Sequence, residues 1–281
     1  MLEALQSETM RYAVYAGLLA SIACGIIGAY VVVNRIVFIS GGISHASFGG
    51  IGLGYLAGFS PVLGAMIFTL ASALGIGIIT RRTRLPADTA IGVMWAVGMA
   101  LGIIFIDLSP GYAPDLLVYL FGNILLVPFS DIILMIILDA VIVTTVIALY
   151  KEFLALSFDE EFGTVAGIPV ERLYLLLLCM IALTVVLLIR VVGIILVIAL
   201  LTIPATIARQ FTYDLRKMML LSIAIGAVLS FGGLWLSYEF DLASGATIIL
   251  LSGVALIVTL GISRLRRSKT RVLHTAMSEA E

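Results

Sequence analysis

The chain has 281 residues, of which 62% are hydrophobic and only 12% are charged, and its formal net charge is −1. Soluble domains carry about 25% charged residues, so this composition excludes an ordinary water-soluble fold. Apolar runs of roughly 20 residues recur along the chain, and each is long enough to cross a bilayer as a helix. Long continuous runs are typical of membrane helices rather than of a β-barrel. We therefore predict an all-α, polytopic transmembrane helix bundle with about eight or nine spans, forming a single domain over residues 1–281.

Basic residues indicate which ends of the spans face the cytoplasm. Arginine and lysine cluster in three places next to apolar runs, at residues 81–84, 209–217 and 264–271. Such clusters are typical of the cytoplasmic side, and Arg35 after the first span places the N-terminus outside. The basic tail at about 263–281 is then cytoplasmic. The N-terminal residues lack a basic region, so we expect no cleaved signal peptide.

The second predicted span, Val37–Ala57, follows a first span at Tyr12–Val33 and contains the most informative side chains. It includes His45, the single histidine within the apolar body, together with Ser44 and Ser47. An ionisable side chain at bilayer depth is costly and often marks a transport path. We predict that His45, Ser44 and Ser47 line a translocation path. The alternative is a packing helix whose histidine bonds a neighbouring carbonyl.

Glycines recur at every fourth position near the end of this span, at Gly50, Gly54 and Gly58. A row of glycines leaves one helix face without side chains, so that another backbone can approach closely. We predict close helix packing at these three positions.

The third span is predicted to end at Thr80 and the fourth to cover Thr89–Ile106, with Asp88 as its cap. The polar residues 107–115 then form an external loop. The segment 116–126 is too short to cross a bilayer, so we predict a surface or re-entrant helix there.

The next predicted span, Phe129–Leu149, contains Asp139 near its middle. This carboxyl is a second candidate for the path, because intramembrane acids are expensive to maintain. A carboxyl that is hydrogen-bonded within the bundle is the alternative.

The most polar interior segment lies at about 151–172. It predicts a short amphipathic helix, with Ser157 or Asp159 as a cap, closed by Gly167 and Pro169. Its acidic run does not suit anionic lipid, so a protein partner is the better interpretation. A solvated loop is the alternative.

Two further spans are predicted at Leu173–Ile189 and Val191–Ala208, with Arg190 alone between them. Pro204 lies inside the second one, flanked by Thr202 and Thr206. Proline kinks a helix and frees a carbonyl that threonine hydroxyls can bond, so these residues are gating candidates. The last two spans are predicted at 218–238 and 244–262.

Motifs for catalysis on this chain are absent from the sequence. It contains no GxxxxGK[ST], HExxH, GxSxG or CxxC pattern, and its two cysteines, Cys24 and Cys179, lie far apart in apolar spans. We therefore predict no enzyme activity and no resident cofactor. Transport would draw on an ion gradient or on a separate ATP-hydrolysing subunit that docks at the acidic segment.

Several stretches together resemble the membrane subunit of bacterial or archaeal ABC importers for divalent metals, the manganese/zinc/iron permease family. The matching stretches are Arg35–Gly54, Asp88–Gly92, Ser157–Pro169 and Val192–Ala208, with a weaker match at Asp241–Thr247. They cover nearly the whole chain in matching order.

This resemblance implies an alternating-access homodimer in the cytoplasmic membrane that imports Mn, Zn or Fe. It implies an extracytoplasmic solute-binding protein that delivers the metal, and a cytoplasmic ATPase dimer that holds the ATP. The ATPase would dock on the acidic segment, at Ser157, Phe158, Asp159, Glu160, Glu161, Gly167, Ile168 and Pro169.

One position departs from the family pattern. Members often carry an aspartate four residues before the histidine, where the two side chains can share one cation. Here that position is Gly41. His45 would then act alone with Ser44 or Ser47, or together with Asp139, or selectivity would lie with the binding protein.

Three alternative functions remain at this point. A proton- or sodium-coupled secondary transporter would use His45 and Asp139 as relay groups, and would show an internal inverted repeat. An ABC permease could instead carry a metal chelate or another small solute. An intramembrane enzyme would require paired catalytic residues within the spans.

Overall fold

The computed structural model describes residues 7–83, 85–110 and 122–278, without the side chains of Arg190 and 264–278. In these ranges the chain forms ten α-helices and one short 3-10 turn, Ile124–Leu126. The helices are α1 (Glu8–Val33), α2 (Val37–Ala57), α3 (Pro61–Arg82), α4 (Ala87–Leu108), α5 (Phe129–Ala148), α6 (Tyr150–Phe158), α7 (Glu160–Val165), α8 (Val170–Phe211), α9 (Leu215–Phe240) and α10 (Ser244–Ser278).

Within the described residues, eight helical segments are long and apolar enough to cross a membrane. Two of them, Val170–Ile189 and Val191–Phe211, belong to α8. Helix α2 is not among the eight, because its serines, glycines and His45 lower its mean hydropathy. Its 21 residues nevertheless extend over about 31 Å beside α3, the length of a membrane span. Counting α2, the described chain crosses the bundle nine times.

One end of the bundle gathers the basic residues, and we call it the basic face. It is defined by Arg81, Arg82, Arg209 and Arg216. Arg81 pairs with Glu160 of α7 at 3.0 Å, and Arg82 lies 3.6 Å from Glu171 of α8. The other contacts at this face are Asn34 donating to Ser157 at 3.1 Å, Arg209 donating to the Val32 carbonyl at 3.0 Å, and Arg216 lying over the Tyr150 ring.

Both ends of α8 lie at the basic face, with Glu171 near Arg82 at one end and Arg209 at the other. The helix must therefore reverse direction within its length. Inside this helix the one residue with non-helical dihedral angles is Gly193, with φ of 78° and ψ of 161°. The predicted break at Arg190 is therefore wrong by three residues. Positive φ strongly favours glycine, whereas an arginine continues the helix at no cost. A Cβ on Gly122 would overlap the backbone of Val192 and Gly193, so Gly122 itself packs directly on this turn.

Two other predicted elements differ in detail. Helix α4 begins directly after Pro86, so Asp88 lies within its first turn and makes no capping hydrogen bond. Most of the predicted short helix at 116–126 lies outside the described residues, and its described part contains only the 3-10 turn Ile124–Leu126.

The acidic segment contains the predicted short helix, which is α7, and a second short helix, α6, that precedes it and was not predicted. Asp159 separates them with φ of −155°, and its carboxylate accepts from the Phe162 N–H at 2.8 Å. Asp159 therefore caps α7, which is one of the two caps predicted, whereas the Ser157 hydroxyl accepts from Asn34. Gly167, with φ of 81°, ends the segment, and Pro169 directly precedes α8.

Candidate functional site

Helix α2 lies in the middle of a three-helix layer with α3 and α4, where glycines bring the backbones together. A Cβ on Gly50 would overlap the Gly64 carbonyl of α3, and one on Gly54 would lie 2.6 Å from Pro61. The predicted third member of this row, Gly58, behaves differently. A Cβ on Gly58 would meet nothing within 4 Å, and its φ of 72° ends α2 in the left-handed conformation. Gly58 is therefore a helix-terminating residue and not a packing residue.

We expect Gly50→Ala to destabilise the protein by about 2 kcal/mol, because the added methyl group forces the α2 and α3 backbones apart. The matched control is Gly75→Ala on α3, where a Cβ meets nothing within 4 Å. This control should leave stability unchanged or raise it by up to about 1 kcal/mol. Thermal unfolding of both variants in detergent checks the prediction, and equal melting temperatures would contradict it.

His45 is half-buried on α2 and lies against an aromatic residue of α4. Its imidazole stacks on the Trp95 indole with the ring centroids 4.0 Å apart and the planes 8° from parallel. The Trp95 N–H donates to the Met99 sulfur at 3.2 Å, which holds the indole in place. The His45 Nδ1 is buried without a hydrogen-bond partner among the described residues. This nitrogen therefore does not bond a neighbouring carbonyl, as the packing alternative required.

Gly41 lies one turn before His45 on α2 and is near the same Trp95 ring. Only the Trp95 ring lies within 4 Å of a Cβ built on Gly41. Trp95 therefore borders both the imidazole and the space that a side chain at position 41 would enter. The sequence alone did not single out Trp95, which is one of two aromatic residues in its span, together with Phe105.

Ser44 and Ser47 do not share the exposed side of α2 with His45. Both are fully buried, and their hydroxyls donate to carbonyls of their own helix, Ser44 to Ser40 at 2.7 Å and Ser47 to Ser44 at 2.6 Å. Residues one or two positions apart on a helix point in different directions. In this structure, therefore, Ser44 and Ser47 do not lie on the side of α2 that carries His45, and their role in the path stays a prediction.

Asp139 lies on α5 and is 7% exposed. Neither of its carboxyl oxygens has a hydrogen-bond partner among the described residues, so the bonded alternative is not observed. Helix α5 packs mainly against α1 and α8, whereas α2 packs mainly against α3 and α4 and less closely against α8 and α1. The structure thus does not bring Asp139 to His45 within one protomer. Among the described residues, no group of three His, Cys, Asp or Glu side chains could hold a metal ion.

Pro204 lies inside α8 without breaking it. Thr202 donates to the Ile198 carbonyl at 2.8 Å and Thr206 donates to the Thr202 carbonyl at 2.7 Å. These hydroxyls therefore do not satisfy the Leu200 carbonyl that proline frees, contrary to the prediction. The strong bend of α8 is at Gly193 instead.

The acidic segment presents an apolar surface at the basic face. Phe158 is 61%, Phe162 65% and Val165 89% exposed, which makes this surface a candidate docking site. Arg81 connects the segment to α3, because its guanidinium donates to both carboxylate oxygens of Glu160, at 3.0 and 3.1 Å. The same guanidinium lies 4.2 Å over the Tyr174 ring of α8. Sequence patterns indicated a cytoplasmic anchor at Arg81 but not this contact.

Known proteins share both the sequence and this arrangement of helices. The sequence matches the ABC 3 transport family over residues 6–263. It is 51% identical to an uncharacterised membrane protein of Synechocystis sp., covering 94% of each chain. It is 36% identical to a manganese transport system membrane protein of Listeria monocytogenes, covering 89% of each chain.

A solved structure of PsaBC from Streptococcus pneumoniae in complex with Fab has a similar fold. Its TM-score is 0.83 at 31% sequence identity, and the match covers 92% of this chain and 93% of that one. The predicted fold class, an all-α transmembrane bundle of the ABC importer permease type, is confirmed. Family membership also favours an ABC permease over the ion-coupled transporter and the intramembrane enzyme. The chain belongs to the ABC 3 transport family.

Proposed function

We propose that this chain is the membrane permease subunit of an ATP-driven importer that moves Mn, Zn or Fe ions by alternating access. The observation that carries this proposal is His45, a membrane-depth imidazole whose buried Nδ1 has no hydrogen-bond partner among the described residues. Imidazole suits these transition metals better than magnesium or calcium. The names of the relatives, which include manganese and metal transport system membrane proteins, support the same substrate class.

The path would run along the side of α2 that carries His45 and Gly41. One imidazole per protomer is a weak site for a transition metal, since such sites usually have three or four protein ligands. A homodimer would bring two His45 side chains to one path, which is the assembly that we propose. Tight selection would then fall to an extracytoplasmic solute-binding protein. Trp95 would cover the imidazole until the two rings separate and expose it to the ion.

The acidic segment would receive the cytoplasmic ATPase dimer, which supplies the ATP hydrolysis that this chain lacks. Support comes from the exposed Phe158, Phe162 and Val165, since solvent-exposed apolar groups of this size are typical of protein interfaces. Arg81 would transmit the movement, because its ion pair with Glu160 joins the docking segment to α3. Helix α3 packs on α2, so a shift of α7 would reach the helix that carries His45.

The basic face would lie in the cytoplasm of a bacterial cell, by the positive-inside rule. Nine crossings then place the N-terminus outside and the basic C-terminal tail inside. The turn at Gly193 would face the binding protein on the outer side.

The substrate class is tested with the purified permease, its ATPase and its solute-binding protein in proteoliposomes. Uptake of Mn, Zn, Fe, Mg and Ca would be measured by mass spectrometry with ATP and with a non-hydrolysable analogue. We expect ATP-dependent accumulation of at least one of the three transition metals and none of Mg or Ca. Accumulation of no metal, together with transport of a chelate, would overturn the proposed substrate.

A further inference from the structure

A groove between α1, α5 and α9 has a volume of about 660 Å³ and is separate from the layer that contains His45. Its walls include Ile22 and Ile26 of α1, Val143 of α5 and Met219 of α9. Its rim includes Ile147 and Leu220, which are 72% and 68% exposed. An apolar groove with an exposed apolar rim on a membrane helix bundle opens toward the hydrocarbon region.

Among the described residues that line the groove, the one charged side chain is Arg216, at its mouth. Arg216 lies in the first turn of α9, with its guanidinium 4.4 Å over the Tyr150 ring. Both residues are at the basic face, where tyrosine and arginine typically mark the membrane interface. On α9 the lining residues extend from Arg216 to Ile223, seven positions further along, which is about 10 Å along the helix axis. The groove therefore runs from the interface into one leaflet.

From these observations we propose that the groove binds an anionic phospholipid of the cytoplasmic leaflet, with an acyl chain between the helices and the phosphate at Arg216. This inference goes beyond the transport function and depends on neither the metal nor His45.

The charges around the mouth favour an anionic headgroup. Among the described residues, no carboxylate lies within ion-pair distance of Arg216, and Lys217 and Lys151 are exposed next to lining residues. Two acids lie nearby in sequence, Asp214 and Glu152. The Asp214 carboxylate accepts from the Lys217 backbone N–H at 3.0 Å and so caps its own helix. An unpaired guanidinium suits a phosphate, and basic pockets between helices on the cytoplasmic side bind anionic lipids.

A lipid fits these features better than a second copy of the chain. Protein interfaces in the hydrocarbon region are enriched in small side chains that allow close packing. This groove is instead walled by Ile, Val, Met and Leu and leaves a space suited to a flexible chain. The groove has a cation at its interfacial end and apolar walls further in. A phospholipid has the same order of groups, with a charged phosphate at the interface and acyl chains in the hydrocarbon region.

The test is thermal unfolding of the purified full-length permease in a neutral detergent, with added phosphatidylglycerol or phosphatidylcholine of identical chains. A ligand that binds only the folded state raises the melting temperature. We expect phosphatidylglycerol to raise it by several degrees more than phosphatidylcholine does. Arg216→Gln should abolish this difference, whereas the matched control Arg82→Gln, which removes a cation of the basic face on α3 and outside the groove, should retain it.

Three results would overturn the proposal: equal effects of the two lipids on the wild type, the same lipid preference in Arg216→Gln as in the wild type, or a covalent dimer through the groove rim. Formation of a covalent dimer is measured with Leu220→Cys in a chain whose Cys24 and Cys179 are replaced by alanine. Efficient cross-linking of this variant in membranes would assign the groove to a second copy. Absence of cross-linking together with the expected lipid selectivity supports a lipid occupant.

Discussion

Replacing His45 with alanine is expected to reduce the rate of metal uptake by about tenfold, which corresponds to about 1.4 kcal/mol of lost stabilisation of the bound ion. Alanine removes the only imidazole in the described spans, and the surroundings offer no replacement ligand, because Ser44 and Ser47 donate to their own helix. The fold should persist, since His45 is half-buried and makes a ring contact with Trp95 rather than a network of hydrogen bonds. Initial uptake rates in proteoliposomes, at equal protein content, measure the effect.

The matched control for His45→Ala is Ser44→Ala, which removes a polar group from the adjacent position of the same helix. Its side chain points into the bundle, so uptake should remain near the wild-type rate. Thermal unfolding of both variants separates a lost ligand from a lost fold. If His45→Ala transports at the wild-type rate, His45 is a packing residue and the proposed path is wrong.

Reversing the charge of Arg81 is expected to uncouple ATP hydrolysis from transport. Arg81→Glu would face Glu160 across the former ion pair, so the docking segment and α3 would repel each other. We expect uptake per ATP hydrolysed to fall by about fivefold, equivalent to about 1 kcal/mol, which is the upper range for an exposed ion pair. The free energy of unfolding should change little, because an exposed ion pair contributes little to it.

The double variant Arg81→Glu with Glu160→Arg restores the pair with opposite polarity and should recover most of the coupling. Arg82→Glu is the control, because it makes the same charge change one residue away at a side chain that lies near Glu171 of α8. ATP hydrolysis and metal uptake would be measured simultaneously for the two single variants and the double variant. Equal losses in Arg81→Glu and Arg82→Glu, or no recovery in the double variant, would mean that the ion pair does not transmit movement.

The overall architecture could be predicted because it depends on the length of the apolar runs and on where the basic residues lie. Long apolar runs specify membrane helices, and the arginines at 81–84 and 209–217 mark the ends that gather at one face. Helix bounds such as Pro61–Arg82 lie within two residues of the prediction. The family resemblance also rested on matching segments along the whole chain, and the sequence and structure comparisons confirm it.

The position of the bend in α8 and the presence of helix α6 could not be predicted from residue types alone. Arg190 is the one charged residue between two apolar runs, so it attracts the predicted boundary. The chain turns at Gly193 because a positive φ is tolerated there. In the acidic segment, residue types did indicate Asp159 as a helix cap, and its carboxylate caps α7, but they did not indicate the separate helix α6 before it.

The site was predicted in part, because a sequence identifies ionisable groups but not their neighbours in space. His45 was identified because an ionisable side chain within the bilayer has a high free-energy cost. The stack on Trp95 depends on the register between α2 and α4, which no local pattern encodes. For the same reason, Asp139 was grouped with His45, although their helices pack against largely different neighbours.

The most direct measurement of the central claim is the metal content of cells that express this chain with its ATPase and binding protein. Matched cultures would carry the wild type, His45→Ala, or a catalytically inactive ATPase, and each would be measured by mass spectrometry at equal permease levels. We predict accumulation of Mn, Zn or Fe in the wild type alone. Wild-type cells that accumulate none of these metals, or that accumulate them equally with the inactive ATPase, would contradict an ATP-driven metal importer.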